Sequence, residues 1–536
     1  MKTIEKSIET KLNIEEEFHT LQNKYALLEQ NYEELTAKLN WYEEQFRLSQ
    51  QRRFGTSSEQ TDSNQLSIFN EAEKESRPEK EEPTIEEITY KRKRNKGLNK
   101  KSFDDLPVEV IEYHLEESDK ICPNCGSPLH EMSKEIRKEL TIIPAQVKVV
   151  EHVRYVYACR QCEKDNTSTP VITAKMPNPV LPGSFVSPSL LAYIMNRKYS
   201  EAVPLYRQEQ QFKNFGIDLS RQNLANWIIH GANHWLVHIY DRMHYHLLKE
   251  TVIHADETTM QVLDEEGKKP TSKSYMWLYA TGMYSTPIFL YEYQPSRAKK
   301  HPKEFLKGFN GFLQTDGYQA YNAVEDVTLV GCFAHARRGF TDTLKALPKD
   351  STLSRTNAEE GLEFCDKLFK LEKEYRKENL TPEEIYIKRL EKTKPILQDF
   401  LSWLKTKEKQ VLPKTSLGKA ISYCLNQWDK LTAFMQDGRL EISNNRAERA
   451  IKPFVIGRKN FLFSKSPKGA QASAIVYSVI ETAKANNLNP FYYLTYLFEK
   501  LPNIDLESTD ELDKLLPWSD SIPGNCKVPN KEHDNI

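Results

Sequence analysis

The chain has 536 residues, 39% hydrophobic and 28% charged, with a net charge of −1 at pH 7. That length makes about three to five domains, and the balanced charge excludes a basic character spread over the whole chain, so any nucleic-acid surface must be local. No apolar run approaches the roughly 18–20 residues of a membrane span, and the start MKTIEKSIETKLNIEEE lacks an apolar signal core; no membrane partner is expected, and the expected location is the cytoplasm.

Residues 12–50 hold the clearest periodicity. Ile14, Phe18, Leu21, Tyr25, Leu28, Tyr32, Leu35, Leu39, Tyr42 and Phe46 follow one another at alternating spacings of four and three, with no Gly or Pro between them. This heptad seam predicts a coiled coil and, through it, a homo-oligomer. The competing reading is a long amphipathic helix packed on its own chain. Residues 70–101 are charge-rich and poor in apolar side chains, the composition of a linker. Within it, KRKRNKGLNKK at 91–101 reads either as a phosphate-contacting arm or as solvated linker.

CPNC at 122–125 and CRQC at 159–162 are two C-x2-C pairs separated by β-like sequence. Cys122, Cys125, Cys159 and Cys162 supply the four thiolates that Zn2+ takes in structural sites, and four thiolates leave no open position for catalysis. Two such pairs in a cytosolic chain favour metal over a redox couple or a disulfide frame. Further on, Pro188 stands near a helix start. An apolar helix stops at Gly216 and another starts at Ser220, a good N-cap. Helix, short glycine turn, helix is the spacing of a helix-turn-helix. Its second helix would show Arg221, Gln222 and Asn226 to DNA; an ordinary helical connector is the alternative.

From residue 251 the pattern changes to short runs rich in β-branched and aromatic residues, first three strands, then strand–helix alternation. Asp256 lies within the first strand, where an unpaired carboxylate needs a cation, a hydrogen-bonding partner or a place at the rim. Asp316 ends a later strand in LQTDGYQAYN; by itself this Asp-Gly reads as a hairpin turn. Two carboxylates brought together on one sheet would repel, and a divalent cation with a preference for hard oxygen ligands, Mg2+ or Mn2+, relieves that repulsion. Glu448 stands among Arg446, Arg449, Lys452, Arg458 and Lys459; taken alone, Asn445 followed by Glu448 resembles a capping box, and Pro453 predicts that the helix ends or kinks there.

Several of these stretches together resemble the successive motifs of bacterial transposases of the insertion-sequence-66 family. They are RRFGTSSEQ, CPNC…CRQC, LYRQEQQF…LSRQNLANW, HADET, QTDGYQAYN, GCFAHARR, NNRAERAIKPFVIGRKNFLFS and GAQASAIVYSVIETAKANNLNPFYYL. The resemblance spans nearly the whole chain, in order. It implies an RNase H-like catalytic domain with a DDE triad of Asp256, Asp316 and Glu448 holding Mg2+ or Mn2+. It also implies DNA as partner, both element ends and target, and suggests accessory proteins encoded alongside.

The expected architecture is multidomain, α and α/β. It comprises a coiled-coil region (1–60), a charged linker (61–102), a zinc module (103–175), a helix-turn-helix-like DNA-binding region (176–245), an RNase H-like domain in two parts (246–344 and 441–500), an all-helical insertion (345–440) and a C-terminal tail (501–536). The expected reaction is metal-dependent cleavage and joining of DNA strands at the ends of a mobile element. A nuclease of the same fold that cuts without joining, and a catalytically silent DNA-binding regulator, are the alternatives. No covalent protein–DNA intermediate is needed, so Tyr318 and Tyr321 are assigned packing or DNA-backing roles. Arg446, Arg449, Arg458 and Lys459 are candidate phosphate contacts or a solvated cationic face. His335 reads either as a neighbour of the site, with Arg337 and Arg338 as phosphate contacts, or as a structural histidine.

Overall fold

The computed structural model describes residues 146–158, 171–346 and 356–529, together with Gln22, Lys24, Tyr25 and Leu28. The four zinc-module cysteines, the 91–101 basic run and most of the heptad seam lie outside the described residues. Two seam positions, Tyr25 and Leu28, are helical and exposed.

A short antiparallel ribbon, β1 (Val156–Ala158) with β2 (Val171–Thr173), precedes the helices. Helix α1 (Pro188–Tyr199) begins where Ser187 accepts the Leu190 N–H at 3.1 Å and proline fills the first turn. Helix α2 (Leu205–Asn214) is followed by a turn with Gly216 at φ +76°. Helix α3 (Arg221–His230) starts on Ser220, whose hydroxyl accepts the Asn223 N–H at 3.2 Å. A π-helical turn leads into α4 (Val237–Leu247).

Strands β3 (Val252–Gln261), β4 (Lys273–Thr281) and β5 (Phe289–Gln294) form an antiparallel meander. The short helix α5 (Lys300–Phe305) then crosses to β6 (Gly311–Gln314), which lies parallel to β3, and β7 (Val327–Val330) lies parallel to β6. The sheet order is β5-β4-β3-β6-β7. Side chains alternate across β3. His254 reaches Asn444 and Thr258 reaches Arg458 on one face, while Glu257 reaches Tyr321 on the other.

Helix α6 (Phe333–Ala346) leads to a helical stretch of α7 (Asn357–Lys377), α8 (Pro382–Lys388), α9 (Lys394–Glu408), α10 (Ser416–Asn426) and α11 (Trp428–Thr432). Thr356 with Glu359 and Thr381 with Glu384 form capping boxes at the starts of α7 and α8. These helices share a hydrophobic cluster with α6 and β7 through Phe340, Phe400, Leu404 and Cys424. At its edge, Arg389 is buried with Glu372. Its Nε and Nη2 reach the carboxylate at 2.8 and 2.7 Å, Nη1 donates to the carbonyls of Phe434 and Asp437, and Nη2 also donates to that of Leu440.

Helix α12 (Asn445–Phe461) does not end at Pro453, one of the two outcomes that residue predicts, but runs on through it to Phe461. The proline leaves the Arg449 carbonyl without its helical partner, but Arg449 is exposed and water can serve that carbonyl. Burial of Ile451, Phe454 and Gly457 against the sheet and its neighbours holds the helix together across it.

Helices α13 (Pro467–Ala485) and α14 (Pro490–Lys500) complete this side of the sheet, and α15 (Thr509–Asp513) follows. Residues 501–528, read as tail, are folded in: Leu512, Leu516, Ile522 and Cys526 are buried, and Arg242 of α4 pairs bidentately with Asp513. One hydrophobic cluster joins α1–α4, the sheet and α12–α15, so the helix-turn-helix-like segment is welded to the sheet's core. Among the described residues no helix is long and apolar enough to cross a membrane.

Candidate active site

Three stretches far apart in sequence meet beside the middle of β3. Asp256 pairs in register with Leu278 of β4 and shares the strand face of His254 and Thr258, the face covered by α12. It lies deep in the protein without being sealed from water. Its Oδ1 accepts the N–H of Glu257 at 2.8 Å. Burial pushes its carboxyl well above the ordinary carboxylate range; the negative charges of Glu257, Asp316 and Glu448 push it further, and only the Glu257 N–H opposes them.

Asp316 follows β6, which emerges beside β3. The Asp-Gly pair makes no hairpin, because β7 returns parallel to β6 and a parallel pair requires a crossover. Instead Asp316 Oδ1 accepts the Tyr318 N–H at 2.9 Å, a local turn of the Asx kind, and Gly317 takes φ +94°. The Asp316 carbonyl accepts the Tyr423 hydroxyl of α10 at 3.1 Å, which ties the turn to the inserted helices.

Glu448 lies in the first turn of α12. The capping-box reading fails here. The helix starts one residue earlier than a box on Asn445 requires, and its N-cap, Asn444, makes no side-chain cap bond. Asn444 is buried and used elsewhere: its Nδ2 donates to the Ala255 carbonyl at 2.8 Å, its Oδ1 meets His254 Nδ1 at 3.0 Å, and its N–H reaches Cys332 Sγ at 3.1 Å. His254 in turn faces Glu441 at 3.3 Å, and Arg376 of α7 reaches the same carboxylate at 3.1 Å. This buried network fixes the start of α12 against β3 and brings Glu448 beside Asp256.

Glu448 Oε1 is buried without a hydrogen-bond partner, and so is Nδ1 of His335, 3.9 Å away. Arg338 lies 3.9 Å from the other Glu448 oxygen. Cys332, His335 and Glu448 each offer a ligand atom within 4.8 Å of one another. The Cys332 thiol, pushed up to about 11 by burial, already receives the Asn444 N–H. Burial and Arg338 lower the His335 imidazole, and Glu448 and Asp316 raise it. Asp256, Asp316 and Glu448 do not all lie within 4.8 Å of one another as Cys332, His335 and Glu448 do, so a cation held by the three acids would have to draw them together; their hard oxygen donors suit Mg2+ or Mn2+.

The other residues singled out in the sequence separate into two groups. Arg221, Gln222 and Asn226 are exposed at the start of α3, with Gln222 bonded to Asn226 at 3.1 Å. Arg449 and Lys459 are exposed on α12. Arg446 and Arg458 are partly buried and engaged inside the protein, Arg446 with the Thr281 carbonyl and Arg458 with Thr258 and Thr259 of β3. Arg337 pairs with Asp366 at 2.6 Å. Tyr321 is buried and donates to Glu257 at 2.5 Å.

Sequence reasoning passed over Glu257, His254, Asn444 and Glu441. Glu257 stands next to Asp256 in HADET, yet points to the opposite face, where burial raises its carboxyl and Tyr321 and Arg297 lower it. The doublet Asn444–Asn445 was the available signal for the network.

Comparison with known proteins gives a consistent result. Residues 183–472 match the family described as Transposase IS66 family, 119–163 the zinc-finger binding domain of transposase IS66, and 478–518 the IS66 C-terminal element. Residues 41–111 match a family described as Transposase C of IS166 homeodomain. The zinc-finger match contains all four C-x2-C cysteines. An uncharacterized protein of Sinorhizobium fredii, y4hP, is 30% identical over 446 residues, 79% of this chain and 77% of its own length. A second from the same organism, y4jD, is 30% identical over 433 residues, 77% of this chain and 81% of its own.

Proposed function

The chain belongs to the IS66 transposase family, and from that premise we propose that it cuts and joins DNA strands through a divalent-metal site made by Asp256, Asp316 and Glu448. The family match carries the transposase role and the structural zinc of the Cys122, Cys125, Cys159 and Cys162 module. One observation supports the finer reading: β3, the turn after β6 and the first turn of α12 bring their carboxylates near enough for the charges of Asp316 and Glu448 both to raise Asp256. Among the described residues Arg338 and His335 stand 3.9 Å from Glu448, but no cation pairs with Asp256, and a divalent ion would relieve the repulsion there. The three-strand meander extended by two parallel strands, with acids at the centre of β3 and beyond β6, supports an RNase H-like core.

Bound there, divalent cations supply activation of the attacking oxygen and stabilisation of the leaving one. The protein's part is to hold three carboxylates in fixed relation and to seat the DNA backbone over them. In cleavage, a water oxygen forms a new bond to phosphorus as the bridging P–O bond breaks, leaving a 3′-hydroxyl. In joining, that 3′-oxygen attacks a target phosphodiester and the bridging oxygen departs. Tyr321, buried and bonded to Glu257, is in no position to act as a nucleophile. The exposed Arg221, Gln222 and Asn226 on α3, with Arg449 and Lys459 on α12, provide side chains for phosphate and base contact. The heptad seam, with Tyr25 and Leu28 exposed, supplies a surface for pairing two chains, as synapsis of two element ends requires.

The test is strand transfer in vitro with Mg2+, labelled DNA carrying the element's own flanking ends, and any accessory proteins encoded with it. The wild-type protein is expected to yield cut and joined products, and Asp316→Asn neither, while still binding DNA. Cutting without joining would make the protein a nuclease. Binding alone by the wild-type protein would leave it a regulator.

A further inference from the structure

Each aspartate of the cluster is held by a neighbouring residue's backbone. Asp256 Oδ1 accepts the N–H of Glu257 at 2.8 Å, and Asp316 Oδ1 accepts the N–H of Tyr318 at 2.9 Å. The side chains of those two neighbours meet on one residue, Arg297, in the loop between β5 and α5. Its guanidinium gives Nε at 2.8 Å and Nη2 to the same oxygen of Glu257. Its guanidinium carbon lies 3.5 Å from the centre of the Tyr318 ring, and its carbonyl accepts the Tyr318 hydroxyl at 2.7 Å. The other Glu257 oxygen takes the Tyr321 hydroxyl at 2.5 Å. These links close a ring from Asp256 through Glu257, Arg297 and Tyr318 to Asp316.

We propose that Arg297 is a positioning residue for the metal-binding carboxylates: one planar side chain clamps Glu257 and Tyr318 and so fixes the spacing of Asp256 and Asp316. The inference rests on the metal-site reading above. The clamp works from the far face of the sheet, since Glu257 points away from Asp256 along β3. It is needed because one aspartate sits on β3 and the other in the turn after β6, and their repulsion tends to open the gap between them. Simple neutralisation of Glu257 would be served by lysine. Stacking flat on a ring while presenting two N–H groups to a carboxylate requires the guanidinium plane. The Arg297 side chain is 38% exposed, so its replacement leaves no large cavity and the fold is expected to survive.

The experiment is Mn2+ binding to the full-length protein, followed by calorimetry and by the electron paramagnetic resonance signal of the free ion, alongside thermal melting and DNA binding. The wild type is expected to bind Mn2+. Arg297→Lys and Arg297→Gln are each expected to bind it about 10- to 100-fold more weakly, the usual loss when a ligand's supporting partner is removed, with DNA binding unchanged; melting is expected to be kept in Arg297→Lys and lowered in Arg297→Gln, which leaves the buried Glu257 without its cation. Tyr318→Leu, which removes the stacked ring and leaves the Arg297–Glu257 pair, is expected to weaken Mn2+ in the same way. It keeps the test open should the arginine variants fail to fold. Wild-type affinity in Arg297→Lys or in a folded Tyr318→Leu would overturn the clamp and reduce Arg297 to a counter-ion. Absence of Mn2+ binding by the wild type would overturn the metal-site reading itself, and the clamp with it.

Discussion

Two clusters of buried charge in this protein have opposite characters. In the inserted helices, the Arg389 guanidinium and the Glu372 carboxylate satisfy one another, and three backbone carbonyls take the remaining N–H groups. At the centre of β3, Asp256 has one hydrogen bond, from its own neighbour, and three acids pushing against it. The first cluster is complete as folded. On the proposed assignment a cation completes the second, and a buried polar group left in that condition is a functional-site candidate.

The contrast makes predictions of opposite sign. Arg389→Ala leaves Glu372 buried and uncompensated, and is expected to lower unfolding stability by about 3–5 kcal/mol; denaturant titration would read it, and a loss near zero would show that the pair is dispensable. Asp256→Asn removes a charge that the folded chain does not balance. Without divalent ions it is expected to raise stability, by about 1–3 kcal/mol, while strand cleavage is lost. With saturating Mn2+ the wild type should recover that difference, because only it gains binding energy from the ion. A destabilised Asp256→Asn in the ion-free protein would show that the cluster is balanced by something internal.

Glu292 on β5 sharpens the comparison as a third case: burial lifts its carboxyl to about 7, against the Gln294 and Tyr279 hydrogen bonds that hold it down. Its folded value lies above the unfolded one, so the native protein holds an extra proton between about pH 4.5 and 7. Stability therefore falls as pH rises through that window and is lowest above it. Glu292→Gln is expected to match the wild type near pH 4.5 and to exceed it at pH 8 by up to about 3 kcal/mol. Melting curves at the two pH values check this, and a pH-independent difference would contradict it.

What the sequence revealed followed how local the cause was. Ser187 with Pro188, and Gly216 with Ser220, start and stop helices through bonds to residues within a few positions, and those boundaries were legible. Pro453 did not end its helix, because burial of one helix face outweighs one missing hydrogen bond. The capping box read on Asn445 misled because the true N-cap, Asn444, spends its side chain on Ala255 and His254, nearly two hundred positions away. Arg389 looks like any other cation in a lysine-rich helix until the fold buries it. Residues 501–528 looked like a tail, yet Leu512, Leu516, Ile522 and Cys526 are buried against elements far away in sequence. The acids at 256, 316 and 448 were brought together by family motifs, since no local pattern connects them.

The separation of Glu448 from the two aspartates also orders events in time. During synthesis the sheet, with Asp256 and Asp316, leaves the ribosome first. The inserted helices and then α12 follow, at roughly 5–20 residues per second, a delay on the order of ten seconds. Because α1–α4 share one hydrophobic cluster with α12–α15, neither the α3 face nor the proposed cutting site is complete until those last helices have been made.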